Sequence, residues 1–346
     1  MYKKLIRPVL FRFSPEKIHH IIIGLLQVLN NIPFMKALLR VFFMSNNESL
    51  QRELWGLKFS NPVGLAAGFD KNAEVYEMMG TMGFGFVEIG AVTPKEQDGN
   101  PKPRLFRLPK DQALINRMGF NNKGVANAIE RLKQRSPGLI VGANIGKNTA
   151  TPNAQANEDY YQVFHGLFPY VDYFTVNVSC PNISDLHELQ DKDSLLELLT
   201  GIQKINQEKE KPKPVLLKIS PDLNFKQIDD TLEIIRQTGL DGIVAVNTTV
   251  SREGLSYSEA EVRAIANGGL SGKPLRDRAT EIVRYIHHKT EGKLPIIAAG
   301  GIMTEEDALE KLEAGASLIQ IFTGFIYQGP AFAKRINQAI AKMNKG

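Results

Sequence analysis

The sequence predicts an α/β protein, a (β/α)8 TIM barrel with an N-terminal two-helix extension. Two observations carry the barrel. Short apolar runs alternate with amphipathic helical patterns eight times over about 290 residues, the rhythm of a parallel sheet with helical crossovers. Polar residues close nearly every run, as around a ring, whereas a doubly wound open sheet gathers them at one switch point. A third observation carries the extension: residues 1–45 differ in character from the rest, with two stretches of helical spacing from Ser14 on. The expected organisation is residues 1–45 as an amphipathic helical pair and 46–346 as the barrel domain.

At the N-terminus, Ser14-Pro15-Glu16-Lys17 reads as an N-cap, a proline at the first helical position and an acid in the first turn. Ile18, Ile21, Ile22, Leu25, Leu26 and Leu29 follow at helical spacing. Asn30, Asn31 and Pro33 interrupt, and a second helix carries Phe34, Leu38, Val41 and Phe42. No apolar stretch reaches the ~20 residues that a spanning helix needs. No small-residue cleavage site follows, so the segment does not read as a secretory signal. Lys3, Lys4, Arg7 and Arg12 all precede the first acid, Glu16. Basic residues beside wide apolar faces predict a hairpin lying on a bilayer surface, with packing against the main domain as the competing reading.

The strands read as Val63–Ala67, Phe86–Val92, Leu139–Ile145, Tyr173–Ser179, Val215–Ser220, Gly242–Thr248, Ile296–Gly300 and Leu318–Phe322. Between them fall helices at Asn122–Gln134, Ser194–Asn206, Lys226–Gln237 and Glu305–Glu313, with a last one from Pro330. Three segments read as insertions. Thr93 to Phe120 shows no obvious structure and is expected to be a functional loop. Pro181 to Asp193 is placed to cover the strand end before it, and 250–272 ends in Gly-Gly-Leu-Ser-Gly.

Composition excludes several classes. One cysteine rules out an internal disulfide, a Cys-based zinc site and a protein-held iron–sulfur cluster. The six histidines lack metal-ligand spacing, and no His-Glu-x-x-His occurs, so no metal site is expected. No Gly-x-Gly-x-x-Gly follows a strand, which argues against a Rossmann nicotinamide site. The net charge of +5 decides nothing by itself.

In a barrel the C-terminal strand ends ring one cavity. The sequence places Gly68 and Lys71 after the first strand, Asn144 in the third and Asn177 in the fourth. Cys180 follows the fourth, Lys218 lies in the fifth and Asn247 and Thr248 in the sixth, with glycines after the seventh and eighth. Two lysines and several amides without a carboxylate cluster suit an anionic, planar, hydrogen-bonding ligand. Glycines after the last two strands suit a phosphate held on backbone N–H groups. Cys180 stands among amides and a hydroxyl rather than core hydrophobes, so it reads as an acid/base or nucleophile more than as a buried thiol.

At these positions the chain resembles the dihydroorotate dehydrogenases. The motifs are Ala66-Ala67-Gly68-Phe69-Asp70-Lys71-Asn72, Phe106-Arg107-Leu108-Pro109 and Asn116-Arg117-Met118-Gly119-Phe120-Asn121. Asn177-Val178-Ser179-Cys180-Pro181-Asn182, Asn247-Thr248-Thr249-Val250-Ser251-Arg252 and Gly268-Gly269-Leu270-Ser271-Gly272-Lys273-Pro274-Leu275 complete the set. The resemblance implies a barrel that holds FMN and oxidises (S)-dihydroorotate to orotate in pyrimidine synthesis, without nucleic acid. It implies Cys180 as the base, with Thr248 and Phe120 around the proton path. It implies Lys71, Asn116, Arg117, Met118, Gly119, Phe120, Asn177, Asn182, Asn247 and Thr248 around the substrate. For the cofactor it implies Ala67, Gly68, Lys71, Ala91, Asn144, Asn177, Lys218, Val246, Gly272, Gly301, Phe322 and Thr323.

The N-terminal helices resemble the membrane-associated, quinone-using class, which usually has serine at the base position; cysteine is typical of the soluble class. The whole extension and the Phe-Arg-Leu-Pro loop match the former, so a membrane quinone is the expected acceptor. The expectation is then a monomer at the cytoplasmic face of a bacterial inner membrane, touching lipid through residues 1–45. A soluble-class enzyme using fumarate or NAD is the first alternative. Another flavin barrel acting on a pyrimidine, such as a tRNA uridine reductase, is the second, although no separate RNA-binding region with interleaved aromatics is present. A non-catalytic membrane-surface protein is the third.

Overall fold

The computed structural model describes residues 1–45, 47–178 and 192–344. A hairpin of β1 (Arg52–Leu54) and β2 (Leu57–Phe59) precedes β3 (Val63–Leu65) and β4 (Phe86–Val92). β5 (Leu105–Leu108) and β6 (Ala113–Asn116) depart from the barrel, and β7 (Ile140–Ile145), β8 (Tyr173–Asn177), β9 (Val215–Ile219) and β10 (Gly242–Ala245) rejoin it. β11 (Gly269–Gly272) departs again before β12 (Ile296–Ala299) and β13 (Leu318–Ile321). The closed barrel runs β3-β4-β7-β8-β9-β10-β12-β13, every neighbouring pair parallel.

The strands are readable because they are buried on both faces, as parallel strands under helices must be. Every residue of β4, β8 and β9 is buried. All eight expected barrel strands are present, most of them ending a residue or more before the predicted polar terminus. Phe59, Phe86, Tyr173, Leu216, Val244, Ile297 and Leu318 fill the lower barrel as a closed apolar plug. That plug leaves the opposite, C-terminal end for a cavity.

The segments expected as insertions without structure correct the sequence reading. β5, β6 and β11 form a three-stranded antiparallel sheet, in which Ala113 pairs with both Leu108 and Gly272. The helix Glu259–Ile265 completes the later segment, opened by a capping box between Ser258 and Glu261. The lid expected at Pro181 to Asp193 lies almost wholly outside the described residues.

The N-terminal pair forms as Pro15–Asn30 and Met35–Phe43, bent by 116°. Neither is long and apolar enough to cross a membrane singly. Ser14 has the extended backbone of an N-cap but its side chain makes no capping bond, so Pro15 is the start signal that operates. Residues Tyr2–Ile6 and Arg7–Leu10 are helical too, which the sequence reading missed. Pro8 hid them, although in a first turn proline removes only an N–H that has no helical partner.

Candidate active site

One cavity of about 560 Å³ opens at the C-terminal ends of the barrel strands. Ala67, Gly68 and Lys71 border it from the loop after β3, Ala91 from β4, and Asn144, Asn177 and Lys218 from β7, β8 and β9. Val246, Asn247 and Thr248 enter after β10, Gly272 from β11, Gly301 after β12, and Phe322 and Thr323 after β13. Asn116, Met118, Gly119 and Phe120 reach it from the small sheet. Arg117 does not border it. Its guanidinium donates to the carbonyls of Ile265 and Pro103 and lies over the Phe106 ring, 4.9 Å from its centre. Cys180 and Asn182 are outside the described residues.

Lys71 owes its position to Asp70. The buried Asp70 carboxylate accepts from the backbone N–H of Glu74 at 2.7 Å and of Val75 at 2.8 Å, closing the loop on which Lys71 sits. Burial pushes the Asp70 carboxyl up to about 6 against those bonds. Lys71 keeps partial accessibility, but only as part of the cavity wall. Burial and then the Arg104 charge push its ammonium down to about 8, with Glu16 opposing.

Phe120 holds a left-handed backbone with φ of 51°, unusual for a bulky residue. Its carbonyl accepts from Asn122 Nδ2 at 2.7 Å and from Gln97 Nε2 at 3.1 Å, which keeps it there. A Cβ at Gly146 would stand 2.7 Å from the Phe120 ring, so only glycine lets that ring close on β7. Thr248 is seated likewise: a Cβ at Gly269 would stand 1.9 Å from its Oγ1.

The amides form a set. Asn247 Nδ2 donates to Asn177 Oδ1 at 3.4 Å, and Asn177 Nδ2 donates to Asn144 Oδ1 at 3.0 Å. Away from the strand ends the wall changes character. Ile6, Leu10, Ile22, Leu25 and Leu26 from the N-terminal helices face Phe325 and Ile326 across an aliphatic mouth. His19 crosses this boundary edge-on to Phe69, ring centres 5.0 Å apart. Burial, and next the Lys71 charge, push its imidazole down to about 3, so it is neutral at physiological pH. The pair Glu16–Arg104, 2.7 Å apart, pins the helix Pro15–Asn30 to the barrel loops. Burial alone raises the Glu16 carboxyl, but the Arg104 guanidinium outweighs it and holds the group below its usual value.

The family model for dihydroorotate dehydrogenase matches residues 49–343. The chain belongs to the dihydroorotate dehydrogenase family. It is 54% identical over 341 residues to a protein of Christiangramia forsetii named dihydroorotate dehydrogenase (quinone), covering 98% of each chain. It is 46% identical to one of the same name from Thermosynechococcus vestitus, covering 97% of this chain and 94% of that one. The crystal structure of ligand-free DHODH from Eimeria tenella superposes with a TM-score of 0.86 at 36% identity, covering 96% of this chain and 95% of that one.

Within this dihydroorotate dehydrogenase fold, two inward residues escaped the sequence reading. Glu88 is fully buried in β4, and Gln320 in β13 borders the cavity. The signal was present: a lone carboxylate in Phe86-Val87-Glu88-Ile89 and a lone amide in Leu318-Ile319-Gln320-Ile321 interrupt otherwise apolar buried strands. His19 and Glu16 were legible only as helix residues, because nothing local shows which helix face closes a cavity.

Proposed function

We propose that the chain oxidises (S)-dihydroorotate to orotate in pyrimidine synthesis, with FMN as its flavin and a membrane quinone as acceptor. The observation that carries the reading is a single cavity with an amide- and lysine-lined end and an aliphatic mouth beneath the N-terminal helices. An anionic pyrimidine suits the first end and a water-poor isoprenoid quinone the second.

The residues present fit a flavin mononucleotide. Gly272 and Gly301 have φ of 97° and 77°, and a Cβ would stand 2.4 Å from Gln112 O at the first and 2.1 Å from Arg276 Cα at the second. Only glycine leaves that backbone free to receive a phosphate. Gln320 Oε1 is buried without a protein partner, an acceptor suited to the imide N–H of an isoalloxazine. Held by the backbone at Gly272 and Gly301 with Gln320 at its ring, FMN would supply the two-electron redox chemistry that links the substrate to the acceptor.

The protein's residues position and polarise. The Lys71 ammonium pairs with the substrate carboxylate, and Asn116, Asn177 and Asn247 satisfy the ring amides. Lys218 places positive charge beside the flavin. Cys180, outside the described residues, takes the C5 proton as the C5=C6 bond forms, its thiol ionising far more readily than a hydroxyl. Phe120 and Thr248 shield that proton from solvent. Residues 1–45 serve as the quinone mouth and the lipid contact, with 46–346 as the catalytic barrel.

The test is anaerobic. Dihydroorotate is expected to bleach the flavin, and quinone alone to restore it rapidly. Restoration by fumarate or NAD instead would assign the soluble class, and no bleaching would overturn the substrate assignment.

A further inference from the structure

We propose that Glu88 is the positioning residue that sets the polarity of Asn144, Asn177, Asn247 and Gln320 toward the ligands, an inference that rests on the flavin and orotate reading above. Glu88 is 0% exposed at the centre of the barrel. Its Oε1 accepts from Asn144 Nδ2 at 2.8 Å. Its Oε2 accepts from Gln320 Nε2 at 2.8 Å, Thr175 Oγ1 at 3.0 Å and Tyr173 OH at 3.3 Å.

A carboxylate offers only acceptors, so each amide that meets it must present its NH2. The choice made at Asn144 then propagates. Its Oδ1 receives Asn177 Nδ2, Asn177 Oδ1 receives Asn247 Nδ2, and Asn247 Oδ1 receives the backbone N–H of Thr248 at 2.9 Å. One buried carboxylate therefore orients three asparagines, on β7, on β8 and just after β10. On its other side it draws Gln320 Nε2 inward, which leaves Gln320 Oε1 as the unpartnered acceptor at the cavity. Such side-chain amides are otherwise free to flip at little cost.

A glutamine at this position keeps the shape and removes the rule. Turned with its NH2 toward Asn144, it forces Asn144, Asn177 and Asn247 to reverse in turn and takes the acceptor from Thr248. Turned the other way, it reverses Gln320 and aims a donor at the ligand. Aspartate keeps the rule but is one methylene short, so it costs packing rather than polarity.

The experiment measures orotate dissociation constants on flavin-loaded wild type, Glu88→Gln and Glu88→Asp through the visible spectrum of the bound flavin. Flavin retention and the melting temperature of each protein are followed in parallel. The expected result is at least a tenfold weaker orotate affinity and a shifted flavin spectrum in Glu88→Gln, with a smaller affinity loss in Glu88→Asp despite its lower melting temperature. Affinity loss that instead follows melting temperature, or wild-type affinity and spectrum in Glu88→Gln, would overturn the proposal. A wild type that binds neither flavin nor orotate would overturn the functional reading instead. Should Glu88→Gln not accumulate as folded protein, neutron diffraction of the wild type decides: deuterons of Asn144 Nδ2 directed at Glu88 support the proposal, and Asn144 Oδ1 there overturns it.

Discussion

The two ends of the cavity are built by different means. At the strand ends polar groups are tied to one another, Asp70 to its own loop and Asn177 to Asn144, so donors and acceptors hold fixed directions. At the mouth the wall is mostly apolar, and a few polar residues at its edge anchor it: Tyr2 OH donates to the Ile326 carbonyl at 2.7 Å and Arg107 to the Phe13 carbonyl at 2.7 Å. Beyond the mouth the helices turn apolar side chains to the exterior, with Val28 60% and Val41 76% exposed. Directed polar groups select one substrate by geometry, whereas an aliphatic passage selects by transfer out of water. On the proposed reading, a reaction in two halves gains from keeping these separate, since each substrate would meet only the wall that suits it.

The largest expected effect falls on the polar end alone. Lys71→Ala would remove the proposed charge-assisted pair with the substrate carboxylate, worth about 3–4 kcal/mol, so kcat/KM for dihydroorotate is expected to fall roughly 10²–10³-fold. Stopped-flow reoxidation by quinone should stay as in the wild type. Equal losses in both halves would break the division. Next comes the outer face. Val28→Glu with Val41→Glu replaces two exposed valines by acids, each change worth about 1–2 kcal/mol at an interface, so liposome partitioning should drop about a hundredfold. Steady-state rates in detergent should not change, and unchanged co-sedimentation would remove the membrane role. At the mouth, Leu25→Arg sets a charge in the proposed quinone passage. About a tenfold rise in quinone KM is expected, with flavin reduction by dihydroorotate unaffected.

The barrel was legible in the sequence for the same reason that its polar end is rigid. Runs such as Phe86–Val92 and Val215–Ile219 are buried on both faces, so their composition alone marks them. The small sheet was not legible. Its strands have four residues each, and β6 finds β11 across about 150 residues of chain, a pairing to which no local period corresponds. The site residues were legible through motifs after strands, yet the direction of a side chain was not. Arg117 sits inside the Asn-Arg-Met-Gly-Phe motif just after β6, but the carbonyls of Ile265 and Pro103 hold its guanidinium away from the cavity. Glu88 shows the converse, a residue without motif whose influence reaches the site through others.

The smallest effect concerns pH, and it separates the two ends most cleanly. Lys71 has an ordinary value of 10.5 that enclosure lowers to about 8. Below about 8 the ammonium is present in both folded and unfolded chains, and orotate affinity should be flat. Above it the free protein loses the proton that the orotate carboxylate needs, so affinity should weaken about tenfold per pH unit. Stability moves the other way. Between about 8 and 10.5 the unfolded chain holds a proton on Lys71 that the folded chain has released, so folding stability gains as pH rises through that window. Bound orotate keeps the ammonium charged and should cancel the gain. Titrating orotate against the flavin spectrum, with thermal melts at each pH with and without orotate, tests both signs together. A Lys71→Met variant should lose both dependences while quinone reoxidation keeps the wild-type pH profile between about 8 and 10.5, because the mouth groups coupled to Lys71, His19 and Glu16, are held below their ordinary values and do not titrate in that window.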